Sequence, residues 1–333
     1  IPPETYFRML LIGFFEGIDS ERGIEWPCAD SLSLRSFLRV KLDERVADHS
    51  TLSVIRHRID LETHKEIFGW VLKVVAKAGL LKGKTVGVDA TTLEANAALK
   101  SIVRTDTGES YEDFLKGLAK ASGIESPTRE DLVKLDKNRK KKMSNDDWTN
   151  PNDPDAKIMK MKDGRTHLSH KDEHAVDLDT GAVLAVTLRE AHLGDTETLK
   201  GTLEEAQKNL KKVARDIEVR RALPLKKRPR EWIEEAVADK GYHSYQALVE
   251  TQSKTVRTYF AEQDQGRRNL ADRPVERAAF YSNRRRVRGD RGRRLMRKRG
   301  ELIEPAFTHY LDQGRMRRTH LRGHENILKR LLI

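Results

Sequence analysis

Two short apolar runs in this 333-residue chain stop on a carboxylate: Val86-Gly87-Val88 gives way to Asp89 in VGVDATTLEANA, and Ala236-Val237-Ala238 to Asp239 in VADKGYHS. Runs of this length and composition read as buried strands. One aspartate after a strand is as readily a turn or a helix cap, but the repetition points to chemistry. Ligands of open α/β sheets gather beyond the carboxyl ends of the strands, so neighbouring strands would bring Asp89 and Asp239 together. Carboxylates side by side disfavour each other's ionisation unless a cation lies between them. A hard divalent ion such as Mg²⁺, which takes oxygen ligands and keeps several waters, suits that position. A third carboxylate would allow two ions, one activating a water or a 3′-hydroxyl and the other steadying the leaving oxygen of an in-line phosphoryl displacement.

Residues 1 to about 80, which precede the first of these runs, read as helical. Tyr6, Leu10, Leu11 and Phe14 recur at helical spacing. Ser31 and Ser50 open the segments SLSLRSFLRV and HSTLSVIRHRID as N-cap candidates. The segment 61–80 presents Ile67, Phe68, Val71, Leu72 and Val75 as an apolar face. The two short helices at 31–58 are compatible with a DNA-reading helix-turn-helix, although a packed helical subdomain explains them as well. Residues 98–165 form a charged excursion, helical around 111–121, with the basic run KNRKKK at 137–142 and a Pro- and Asn-rich stretch after it. From 166 the pattern is β, with a hairpin signal at Asp179-Thr180-Gly181. An amphipathic helix over about 197–221 follows, capped at Gly194-Asp195-Thr196, and then strands at 236–238 and 255–262. Such mixing predicts an α/β domain with a partly antiparallel sheet behind a helical domain.

Lys and Arg number 64 against 52 Asp and Glu, a net charge of +12 with a pI near 9.6. That excess favours a polyanionic partner. It is densest from Asn283 to Gly300, NRRRVRGDRGRRLMRKRG, where a DNA backbone is the expected ligand. The single cysteine, Cys28, excludes a disulfide framework and fits a reducing cytoplasm. The longest apolar run, MLLIGFF at 9–15, is too short to span a bilayer and lacks the flanks of a signal peptide. A soluble, cytoplasmic, nucleoid-associated protein is expected, and the start at Ile1-Pro2-Pro3 reads as a fragment or trimmed reading frame.

VGVDATTLEANA, VADKGYHS and RGELIEPAFTHYLDQGRMRR stand in the order of the three signature segments of the DDE transposases of bacterial insertion sequences, which this chain resembles over nearly its whole length. DHSTLSVIRHRID is similar to the helical N-terminal region of that family. The resemblance implies a ribonuclease H-like five-stranded mixed sheet over 83–333, carrying the excursion, behind a helical domain at 1–82 that engages the DNA ends. It implies Asp89, Asp239 and Glu304 as catalytic and metal-binding acids, with two Mg²⁺ or Mn²⁺ ions. The partners would be terminal inverted repeats and target DNA, bound by a homodimer and by no membrane. Where many relatives have an Arg four residues before the last acid and a Lys seven after it, this chain has Gly300 and Leu311. Arg299, Arg315, Arg317 and Arg318 stand in as substitutes, and Glu301 competes with Glu304. An inactive DNA-binding relic and a plain metal-dependent nuclease are the alternative readings.

Lys240, Arg284, Arg285, Arg286, Arg288, Arg293, Arg294, Arg297, Lys298 and Arg299 are the expected DNA contacts. Lys240 and His243 follow Asp239 directly, as a phosphate ligand and a proton carrier or as part of a turn held by Gly241 over a packed Tyr242. His167, His170 and His174 in HLSHKDEH are poorly disposed for zinc, since 167 and 170 face opposite sides of a strand, and a surface or DNA-facing position is expected. Asp195 reads as a catalytic accessory or as a helix N-cap, and the cap explains it fully.

Overall fold

The computed structural model describes residues 1–139, 143–161, 163–216, 232–263 and 270–333. Part of the KNRKKK run and the last residues of the helix expected to reach 221 lie outside these. The chain opens with five helices: α1 (Pro3–Phe15), α2 (Glu21–Asp30), α3 (Leu32–Leu38), α4 (His49–Arg58) and α5 (Leu61–Lys77). Ser20, Ser31, Asp48 and Asp60 start the last four, each side chain accepting an amide three residues on. Asp48, not Ser50, is therefore the cap of α4, and the Ser50 hydroxyl donates to it at 2.7 Å. Tyr6, Met9, Leu10, Ile24, Cys28, Leu38 and Leu52 close a core of their own. Residues 39–48 separate α3 from α4, far more than the three or so of a helix-turn-helix joint, so the pair is a packed subdomain. On α5 Leu72 and Ala76 are buried whereas Val71 faces outward beside Trp70, a correction to the expected face.

Next come β1 (Thr85–Glu94) and the excursion, with β2 (Val103–Arg104), α6 (Tyr111–Ala121), α7 (Arg129–Asn138), β3 (Trp148–Thr149) and β4 (Lys157–Lys160). The hairpin β5 (Thr166–Asp177) and β6 (Val183–Glu190) turns with Gly181 at φ 82°. Then follow α8 (Asp195–Arg215), β7 (Glu235–Ala238), α9 (Tyr245–Ser253), β8 (Arg257–Phe260), α10 (Pro274–Arg288), α11 (Asp290–Thr308) with a π turn at His309–Gln313, and α12 (His324–Leu331). The sheet runs β6-β5-β1-β7-β8, antiparallel across β6-β5-β1 and parallel across β1-β7-β8. Among the described residues it has six strands, because β4, from within the charged excursion, also pairs with the start of β5.

Both faces of the sheet are covered, which is why its central strands read as continuous apolar runs. Val86, Val88, Ala236 and Ala238 meet α5, α8 and α9 on one face. Leu93, Val176, Val237 and Tyr259 meet Ile303 and Phe307 of α11 on the other. Gly87 belongs to the second face, where a Cβ would stand 2.7 Å from both Ile303 Cδ1 and Leu178 Cδ2. The glycine lets α11 lie directly on β1, and this contact carries α11's polar residues up to Asp89. The buried Asp177 carboxylate ties the loop ahead of β1 to the hairpin turn, accepting the Lys82, Gly83 and Asp179 amides at 2.7–2.9 Å. At the far end, Lys329 of α12 donates to the Arg56 carbonyl at 3.2 Å, and Ile333 packs on the N-terminal core. Gly87→Ala overpacks the β1–α11 contact and is expected to lower unfolding free energy by about 1–3 kcal/mol, read as a shifted urea midpoint.

Candidate active site at the carboxyl ends of two parallel strands

Strands β1 and β7 pair in parallel with Val88 opposite Ala238, so the next residue on each, Asp89 and Asp239, lies at the same end of the sheet. Alternation turns Asp89 toward α11, where its Oδ2 takes a 2.6 Å hydrogen bond from the Arg299 guanidinium. Its Oδ1 accepts the Ala90 amide at 2.9 Å. Asp239 Oδ1 accepts the Gly241 amide at 2.8 Å and so starts the short 3₁₀ turn Lys240–Tyr242. Burial pushes the Asp89 pKa above its ordinary value; Arg299 opposes that rise and the Asp239 charge adds to it. The two carboxylates therefore feel each other, as neighbouring strand ends require.

Glu304 lies one and a half turns beyond Arg299 on α11, with Oε1 4.0 Å from the guanidinium and a carboxylate 67% exposed. Arg299 thus stands between Asp89 and Glu304. Glu301, also exposed, has no ion-pair partner among the described residues. A groove of about 510 Å³ runs beside Glu304, Thr308, His309 and Asp312. Leu311 is buried against the core, so it presents nothing to a phosphate. Arg317 pairs with Asp312, and Arg318 lies 3.8 Å from Glu94.

On the opposite face, beneath the Asp239 turn, stands a buried polar network. Glu173 of β5 accepts the Thr198 hydroxyl at 2.7 Å, the Tyr242 hydroxyl at 2.8 Å and the Thr202 hydroxyl. Lys171, also buried, donates to Asp195 Oδ1 at 2.6 Å, Thr198 Oγ1 at 3.0 Å and the Leu193 carbonyl at 3.2 Å. Asp195 is consequently not the cap of α8. Gly194 holds that position, its amide bonded to Glu197, and Asp195 is turned toward the turn after Asp239. Lys171 and Glu173 stand unremarked beside the histidines of HLSHKDEH, and their signal is the run of three charges Lys171-Asp172-Glu173 inside a strand. The histidines differ from expectation too. His170 is buried against Asp153 at 3.1 Å, and His174, opposite Asp89 on β5, is buried against Phe307 and Tyr310. His167 is partly exposed and lies 3.0 Å from Asp163.

The arginine tract divides by environment. Arg284 forks onto Glu262, Arg286 donates to the Thr258 carbonyl at 2.9 Å, and Arg299 is held at Asp89. Arg293 pairs with Asp290, and Lys298 lies 3.3 Å from Asp179. Lys240, Arg285, Arg288, Arg294 and Arg297 are exposed and, among the described residues, without an ion-pair partner.

Among the described residues, no three His, Cys, Asp or Glu side chains stand close enough together to hold a metal ion. The donor chemistry nonetheless suits Mg²⁺ or Mn²⁺, since Asp89, Asp239 and Glu304 offer only hard carboxylate oxygens. The place where a Cβ at Gly241 would lie, 3.1 Å from Asp239 Oδ1, is taken up by Asp195 Oδ2, which brings a further hard carboxylate oxygen near Asp239.

Residues 1–58, the helices α1 to α4, match the model of a family described as a transposase domain (DUF772). The N-terminal helices are thus similar to a transposase domain. No curated protein and no solved structure matches the chain. Among the described residues no helix is long and apolar enough to cross a membrane.

Burial raises the Glu173 pKa above its ordinary 4.5, against the lowering effect of the three hydroxyls and Lys171. The folded protein therefore binds this proton more tightly than the unfolded chain, and ionising Glu173 opposes folding. Its contribution to stability is expected to fall as pH rises from the ordinary carboxylate value through the raised one. Glu173→Gln should flatten that fall in a pH series of urea denaturation curves.

Proposed function

We propose that the protein is a DNA transposase of the bacterial insertion-sequence type, in which Asp89, Asp239 and Glu304 form a metal-dependent site that cuts element ends and joins the 3′-hydroxyls to target DNA. The observation that carries this reading is the parallel register of β1 and β7, which puts two strand-end carboxylates side by side in a chain whose N-terminal helices match a transposase domain. The strand order, an antiparallel hairpin leading into β1 and then two parallel strands, supports the ribonuclease H-like assignment. In this reading residues 1–82 engage the element ends, residues 83–333 carry the chemistry, and two protomers bring two ends together.

Asp89, Asp239 and Glu304 would hold the ions, and the chemistry supplied by Mg²⁺ or Mn²⁺ when bound is Lewis-acid activation of the attacking and leaving oxygens. The chain's own residues do the rest. Arg299 opposes the rise that burial gives the Asp89 pKa and holds that carboxylate in place. The turn anchored by Tyr242 on Glu173 fixes the direction of Asp239. Glu304, on the rim of its groove, meets the scissile strand as it enters. Lys240, Arg285, Arg288, Arg294 and Arg297 supply positive charge for the phosphate backbone.

Incubation with Mg²⁺ or Mn²⁺ and labelled element ends tests the reading. Cleaved and joined products are expected from the wild type and none from Asp89→Ala or Asp239→Ala. Cleavage that persists in both variants overturns the proposed site, and cleavage without joining marks a plain nuclease. For DNA binding, the double variant Arg294→Gln/Arg297→Gln should reduce the slope of log affinity against log salt by about 2, roughly one per lost phosphate contact. A slope equal to wild type would remove these two side chains from the interface.

A further inference from the structure

Asp195 and Asp239 come from opposite faces of the sheet and meet at Gly241. A Cβ at 241 would overlap Asp195 Oδ2 and stand 3.1 Å from Asp239 Oδ1. The backbone there does not lie in the left-handed region, so glycine is required by the Asp195 carboxylate and not by the turn. The other oxygen of Asp195 is held 2.6 Å from the Lys171 ammonium, a side chain only 6% exposed. A buried ammonium needs its partners, and Lys171 has the Thr198 hydroxyl, the Leu193 carbonyl and Asp195 in that role. Turning Asp195 away would cost Lys171 its shortest ion pair and leave it the Thr198 hydroxyl, the Leu193 carbonyl and Glu173 at 4.0 Å. Its Oδ2 is kept facing the Asp239 turn.

We propose that Asp195, clamped by Lys171, is a positioning residue of the site, which seats Asp239 and adds a negative charge that strengthens divalent-cation binding there. The proposal rests on the metal-dependent reading above. Asp89 has its own compensating cation in Arg299, and Asp195 has Lys171. Asp239, between them, has no ion-pair partner among the described residues and takes only the Gly241 amide. A like charge across the gap leaves Asp239 uncompensated, a state that a bound cation relieves.

The test is calorimetric titration of the full chain with Mn²⁺, beside thermal denaturation, for wild type, Asp195→Asn, Asp89→Asn and Asp239→Asn. Asp195→Asn keeps an oxygen for Lys171 and removes the charge. It is expected to weaken Mn²⁺ binding about tenfold, the effect usual for a group that supports a ligand, in a chain whose melting temperature is lowered but which is fully folded at the temperature of the titration. Asp195→Asn binding Mn²⁺ as wild type while Asp89→Asn and Asp239→Asn lose it would overturn the proposal and leave the metal site standing. Wild-type binding in Asp89→Asn and Asp239→Asn would overturn the metal reading itself. Geometry has a separate check: Gly241→Ala should destabilise the wild type and be tolerated in an Asp195→Ala background, where the overlapping carboxylate is gone. Equal tolerance in both backgrounds would show that the two residues do not meet, and the proposal would fail.

Discussion

The parallel pairing of β1 with β7 imposes a constraint that the surrounding structure has to satisfy, because it brings two carboxylates to one partly buried corner. Negative charges so placed cannot both remain ionised unless cations or hydrogen-bond donors compensate them. The chain meets this with side chains drawn from elements distant in sequence. Arg299 arrives on α11, whose approach depends on the absent side chain at Gly87. The Gly241 amide arrives from the turn that Asp239 itself starts. Lys171 and the hydroxyls of Thr198, Thr202 and Tyr242 satisfy the carboxylates on the other face.

One result is a division of labour within the positive charge. The net excess of +12 suggests a uniform attraction for polyanions. In the folded chain Arg284, Arg286 and Arg299 serve internal acceptors, and Arg291 is turned onto the buried Glu235. Guanidinium groups suit such positions because they fork onto carboxylates and stay charged when buried. Within the tract, Arg285, Arg288, Arg294 and Arg297 stay exposed with no ion-pair partner among the described residues.

Much of this was legible in the sequence, and the parts that were not share a cause. The strand-end aspartates, the hairpin at Gly181 and the helix at 111–121 declare themselves through local patterns, which adjacent residues settle. The partner of Arg299 does not, because 210 positions separate it from Asp89 and nothing local marks the pair. Asp195 was misread for the same reason. After a glycine and before a helix it has every local attribute of a cap, and only the fold shows Lys171 on one side of it and Gly241 on the other. The strand β4 is four residues long and half-exposed, too short for its alternation to stand out from the charged stretch around it. Buried histidines at 170 and 174 likewise depend on α11 and α12 arriving from the far end of the chain.

The packing of α12 has a bearing on how the chain reaches this state. Lys329 and Arg330 bond to carbonyls at Arg56 and Ile18, and Ile333 joins the core of the first helices. Those helices are complete in sequence before β1 begins, yet part of their surface is covered only by residues some three hundred positions later. Contacts from α12 therefore cross the boundary near residue 82. Contacts across so long a stretch of chain are slow to close, so α12 is expected to dock on the first helices later than those helices pack among themselves.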